Sequence, residues 1–192
     1  GDAANREVIE AYADLADQLD YSQSRHRLEH CLLLPMEKLE TMKALNLTPS
    51  FHINHLYYYG EALRADILDS ARTERILPLQ TTLDLGIKST LHADQPMFES
   101  LPFRLMQTAV ERQTKVGNPI APSERWTVEQ ALQALPIDAA WQIHKEDPLG
   151  SLEVGKFADF IIVDQNPLET PVEKLHQIQV IRTYINGNNV AF

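Results

Sequence analysis

Cysteine is almost missing from this sequence. Cys31 stands alone among 192 residues, so no intramolecular disulfide framework can form. A single thiol fits a reducing compartment, and the cytoplasm is the expected location. Long apolar runs are lacking too. No stretch approaches the roughly 20 consecutive apolar residues that a spanning helix needs, so no membrane partner is expected. The opening GDAANREVIEAY has no basic region followed by an apolar stretch, and no signal peptide is read there. Basic residues are in the minority: 17 Lys and Arg against 27 Asp and Glu leave a formal net charge of -10. That balance disfavours nucleic acid and anionic membrane surfaces. No phosphate-binding glycine loop is found either. What remains, 44% hydrophobic and 23% charged, is the composition of a globular chain with a core.

Apolar residues at three- and four-residue spacings (Val8, Ile9, Tyr12, Leu15) predict a helix over residues 3–18. A strand is expected over 25–33, closing in His30, then a helix from Pro35 to about Ala44 and a second strand over 48–53. Residues 61–78 read as charged and irregular at first, closing with Ile76, Leu77 and Pro78. A short helix from Leu79, a turn at Gly86 and a strand over 87–91 complete the alternation, which favours a parallel sheet covered by helices. Further helices are expected after Pro102, over 128–135 behind a Thr127–Gln130 capping box, and over 137–143. From Gly150 the character changes. FADFIIV and IQVIRTYI are rich in β-branched and aromatic residues, Asn186-Gly187 reads as a turn, and a last short strand is expected over 190–192. A boundary near residue 148 would divide residues 1–148 from a small β unit at 149–192.

Ligands of α/β barrels bind where loops leave the carboxyl ends of the strands. Three polar clusters fall at such places: HRLEH (His26, Glu29, His30), PSFHINHLYYYGE (His52, Asn54, His55, Glu61) and LHADQP (His92, Asp94). Imidazole and carboxylate groups converging from several strands suit zinc or a similar divalent ion. Ordinary alternatives stand beside this reading: a backbone-bonded strand-end histidine for His30, and an Asx turn before Pro96 for Asp94. Tyr57, Tyr58 and Tyr59 would either wall a substrate pocket or pack a lid. Cys31 should turn away from His30 into the sheet–helix layer, without a nucleophilic role.

Taken in order, these clusters and the tail GSLEVGKFADFIIVDQNPL resemble the amidohydrolase superfamily, in the branch that includes N-substituted formamide deformylases. The tail is similar to the signature of that superfamily's small β domain, and the likeness runs from the first residue to the last. The resemblance implies an α/β fold made of the last strands and helices of a (β/α)8 TIM barrel plus part of a small β-sandwich domain. A complete barrel needs about 250 residues. It also implies metal-dependent hydrolysis of a non-peptide carbon–nitrogen bond in an amide or formamide. His30 and Asp94 would be metal ligands. Asp94 would also be the general base, His55 would face the substrate carbonyl, and His52, His55, Tyr57, Tyr58 and Tyr59 would shape the pocket. One or two zinc ions and a small amide-like substrate are the expected ligands. The resemblance further implies that the preceding barrel strands, or a second copy of the chain, complete the site, and that these 192 residues alone are inactive. The rival expectation is a non-catalytic assembly module derived from a half-barrel.

Overall fold

A computed structural model describes residues 1–190. Helix α1 (Asp2–Asp14) buries Ile9 completely. Strand β1 (Arg27–His30) follows, and Pro35 leads through a single tight turn at Met36–Lys38 into α2 (Leu39–Ala44). Strand β2 (Thr48–His52), buried at every position, runs directly into α3 (Asn54–Ala62). The stretch expected to be irregular is instead helical in pieces. A wide turn at Leu63–Ile67 prolongs α3, and Asp69 caps α4 (Ser70–Thr73) by accepting the Arg72 N–H at 2.8 Å. Leu63, Thr73 and Ile76 are buried along it, which is what holds these short turns in place. Helix α5 (Leu79–Asp84) and strand β3 (Thr90–His92) complete the first half.

Strands β1, β2 and β3 pair in that order, all parallel, as expected for strands joined through helices. The register sets Leu28 beside Pro49 and places Phe51 beside both His30 and Leu91. Alternation therefore puts Leu28, Phe51 and Leu91 on one face, and they share a buried cluster with Leu39 and Met42 of α2 and Leu79 of α5. Each such side chain stabilises the layer by about 1.5–3 kcal/mol. The opposite face carries a polar row, Glu29, Ser50 and Thr90, in direct register.

Three more helices follow: α6 (Pro102–Glu111), α7 (Val128–Ala134) and α8 (Ile137–Gln142). The Thr127–Gln130 capping box is present with both of its hydrogen bonds. Gln142 ties α8 to the sheet. Its amide N–H donates to Pro49 O at 3.0 Å and to the Thr48 hydroxyl, while its Oε1 accepts from Thr90 Oγ1 at 2.8 Å. Arg112, just past α6, is fully buried. Its guanidinium donates to the carbonyls of Ile76 (2.7 Å), Leu77 (3.1 Å) and Ile120 (3.3 Å), clipping two loops together.

The tail forms a second, antiparallel sheet of β4 (Phe160–Val163), β5 (Val180–Ile185) and β6 (Asn188–Val190), in that order. Asn186 and Gly187, with φ of 49° and 76°, make the expected tight turn between β5 and β6. The last strand thus lies over 188–190. The part of the expected strand at 191 and 192 lies outside the described residues. The result is an α/β fold with one parallel and one antiparallel sheet. Among the described residues, no helix is long and apolar enough to cross a membrane.

Candidate metal centre

Each parallel strand ends in a histidine: His30 on β1, His52 on β2, His92 on β3. His52 and His92 are register partners, so both side chains leave the same face of the sheet. Alternation alone would send His30 to the other face, beside Phe51. It does not go there. His30 adopts a left-handed backbone (φ 68°), and its ring centre lies 5.1 Å from that of His92 and 5.6 Å from that of His52. Asp94, two residues beyond β3, is also left-handed at φ 57°. Such conformations cost a non-glycine residue on the order of 1–3 kcal/mol and gather at functional sites.

These turns bring His30, His92 and Asp94 together, each with a ligand atom within 4.8 Å of the others. His55, at the start of α3, packs its ring 4.0 Å from that of His52 and 6.2 Å from that of His30. His52 is wholly buried and both of its ring nitrogens lack a hydrogen-bond partner, as do the buried His55 Nδ1 and His92 Nε2. Burial, reinforced by the neighbouring His55 and His92, pushes the His52 imidazole down to about 4. Burial likewise lowers His55, with His30 and His92 adding to it, and lowers His92 against the opposing pull of Glu29. Neutral imidazoles are the form that binds a metal ion.

This donor set fits a divalent cation. Two imidazoles and one carboxylate converge, and the His92 Nε2 is buried without a partner. His92 is the residue sequence reasoning left without a role. It stood in the third cluster, two residues before Asp94, but its place in the group follows from pairing with His52, which no spacing reveals. Phe98 was not singled out either. Its ring stacks on Tyr58 (4.6 Å, 9° between planes) and approaches Tyr59 at 5.9 Å and His52 at 5.5 Å. Tyr58 and Tyr59 are about 40% exposed beside this group. Tyr57 turns elsewhere: Arg104 lies over its ring at 5.0 Å, in a separate pocket of about 230 Å³. Cys31 is buried, and burial pushes its thiol up to about 12, which leaves it inert as a nucleophile.

An open cleft of about 1030 Å³ adjoins His92. Glu29, Thr90 and His92 border it on the sheet side, and Leu132, Ile137 and Leu149 border it opposite. Its polar floor is the row that alternation sets on the face away from the helical core.

The profile of the amidohydrolase family matches residues 1–191. An N-substituted formamide deformylase of Arthrobacter pascens is 28% identical over 187 residues, covering 97% of this chain and 34% of that protein. Protein LONG AFTER FAR-RED 3 of Arabidopsis thaliana is 27% identical over 191 residues, covering 99% of this chain and 33% of its own length. The chain therefore spans about one third of the curated relatives it matches. Among solved structures, an uncharacterized metal-dependent hydrolase from Pyrococcus furiosus superposes with a TM-score of 0.71 at 25% identity, over 88% of this chain and 33% of that one. A second, from Pyrococcus horikoshii, gives 0.76 at 19% identity over 90% and 34%, which speaks to the fold.

Proposed function

Because the chain belongs to the amidohydrolase family, we propose that it carries part of the active site of a metal-dependent hydrolase that cleaves a non-peptide carbon–nitrogen bond in an amide or formamide. The observation that carries this reading is the convergence of His30, His92 and Asp94 from the ends of β1 and β3. These three residues would hold the ion, with zinc as the preferred one for two imidazoles and a carboxylate. When bound, such an ion supplies Lewis acidity to a carbonyl oxygen and acidifies water.

The chain's own residues supply the rest. The Asp94 carboxylate takes a proton from the attacking water as its oxygen bonds to the carbonyl carbon. The same proton then passes to the leaving nitrogen as the carbon–nitrogen bond breaks. His55 donates a hydrogen bond to the carbonyl oxygen, where charge develops. His52 packs against it, and Tyr58 and Tyr59 with Phe98 wall an apolar subsite, to which Tyr57 contributes only through its edge-to-face contact with Tyr58. The likeness to the Arthrobacter deformylase favours a deformylase-like branch with an N-substituted amide as substrate.

In this reading residues 1–148 are the closing part of a (β/α)8 barrel and residues 149–192 part of a small β-sandwich domain. The two-thirds of the relatives' length that lies outside the match would supply the remaining strands and ligands. Open sheet edges and the apolar wall of the cleft both call for such cover. Metal content measured on a sample of known intact mass tests the proposal. One or two equivalents of zinc, lost in His30→Ala, His92→Ala and Asp94→Ala, are expected. Full metal retention in all three variants would refute it.

A further inference from the structure

Little holds the segment that leads from Asp94 to α6. Every side chain of residues 95–101 is exposed except that of Phe98, which is half-buried. The backbone bonds of residues 95–100 stay local: the Met97 N–H donates to Asp94 O at 2.8 Å, and the Leu101 N–H donates to Glu99 O at 3.1 Å. Asp94 itself keeps a left-handed backbone at φ 57°, a conformation that persists only where its surroundings over-determine it. Before Asp94, β3 and the buried Ala93 fix the chain. After it, the packing of Phe98 is the hold. The ring lies flat on Tyr58 of α3, 4.6 Å away with 9° between planes, meets Tyr59 edge-on at 5.9 Å and reaches the His52 ring at 5.5 Å. Aromatic pairs at such separations attract beyond the area they bury.

We propose that Phe98 is a positioning residue for Asp94: stacked on Tyr58, it pins the turn beyond β3 to α3 and so keeps the Asp94 carboxylate with His30 and His92. The Met97–Asp94 bond closes a turn immediately before Phe98, so one hydrogen-bonded turn joins the ring to the carboxylate. Helix α3 is itself anchored. Its Leu56 and Gly60 are buried, and the Lys115 N–H donates to Tyr57 O at 2.8 Å, which ties it to the loop beyond α6. Gly60 admits that loop, since a Cβ there would lie 2.6 Å from Thr114 Cγ2. Phe98 has no polar atom, so it acts on the centre only through where it holds the chain. This inference rests on Asp94 being a metal ligand, and it adds what keeps that ligand in place, a task separate from walling the subsite.

The test uses the complete protein that carries these residues. Competition with a chelator should show zinc bound about 10-fold more weakly in Phe98→Ala, while Phe98→Tyr, which keeps the stack, should bind as the wild type does. Tyr58→Ala should weaken zinc to a similar degree, and the double variant should lose no more than either single one. A Phe98 that only walls the subsite would raise KM for an N-substituted formamide and leave zinc affinity unchanged, and that result would overturn the proposal. Hydrogen exchange in the metal-free protein reads the pinning without activity. In Phe98→Ala the Met97 amide should exchange about 2- to 10-fold faster while the amides of α6 keep their rates. An unchanged Met97 rate would overturn the proposal as well. If the wild type binds no zinc, the hydrolase reading fails, and the Met97 exchange still decides whether Phe98 holds the turn.

Discussion

Acid should loosen this protein through His52 before it reaches most carboxylates. The imidazole is wholly buried, and burial lowers it from 6.5 to about 4. Between those values the unfolded chain binds the proton and the folded chain does not, so stability rises with pH across the window. The contribution is complete above the unfolded value and is lost as pH falls through 6.5 toward 4. Over the whole window the shift corresponds to about 3 kcal/mol, since one unit is worth about 1.4 kcal/mol. Lowering the pH from about 7 to about 5 protonates nearly every unfolded His52 but only about a tenth of the folded ones, a loss of about 2 kcal/mol. His55 and His92, lowered for the same reason, act in the same direction. Urea unfolding of the metal-free protein at the two pH values reads the effect directly. With a slope of about 2 kcal/mol per molar, the midpoint should drop by about 1 M. In His52→Phe the His52 share of that drop should vanish, leaving what His55 and His92 contribute. A wild-type midpoint that ignores pH, or a phenylalanine variant that keeps the full drop, would refute the reasoning.

Arg112 sets a second test. Burial lowers its guanidinium to about 9, so it stays charged at neutral pH, and its donors satisfy three buried carbonyls. Arg112→Met fills much of the same volume but leaves the Ile76 and Ile120 carbonyls unpaired, while Leu77 O keeps the Leu79 N–H at 2.8 Å, a cost of about 3 kcal/mol. Calorimetry should show Tm lower by about 10 °C, and a change below about 2 °C would mean the clip is dispensable. Cys31, with its thiol pushed up to about 12 in a buried site, should resist iodoacetamide in the native protein and react once urea unfolds it. Rapid native labelling, followed by mass spectrometry, would contradict that placement.

What was readable in the sequence was whatever depends on neighbours along the chain. Thr127 and Gln130 announce a capping box three residues apart, and the box forms. Asn186-Gly187 announces a tight turn, because few other pairs accept positive φ at both positions, and both are positive. The helix–strand alternation up to residue 96 foretold a parallel sheet, and its three strands are parallel. Features set by distant partners were hidden. Residues 61–78 look too charged for regular structure, yet buried Leu63, Thr73 and Ile76 hold helical turns there. Nothing along the chain marks Arg112, because two of the carbonyls it satisfies, Leu77 O and Ile76 O, lie 35 and 36 residues away. His92 gains its place from the β2–β3 register, which is a property of two strands and not of either one.

The metal centre shows why strand periodicity alone underdetermines such a site. Period-two alternation places His52 and His92 correctly, on the polar face with Glu29, Ser50 and Thr90. It misplaces His30, which would lie with Phe51 in the helical layer. Two successive left-handed residues at the end of β1, His30 (φ 68°) and Cys31 (φ 47°), reverse that outcome, and Asp94, left-handed as well, supplies the carboxylate beyond β3. Aspartate and histidine are among the residues enriched in this conformation, whereas cysteine is not, so Cys31 shares the strain of the turn. Packing pays for it: Leu28 before His30 and Cys31 after it are both buried, and the Cys31 Sγ–H reaches back to Leu28 O at 3.1 Å. The buried residues on either side therefore hold the backbone that aims His30, which gives Cys31 a structural use although its thiol has no chemical one.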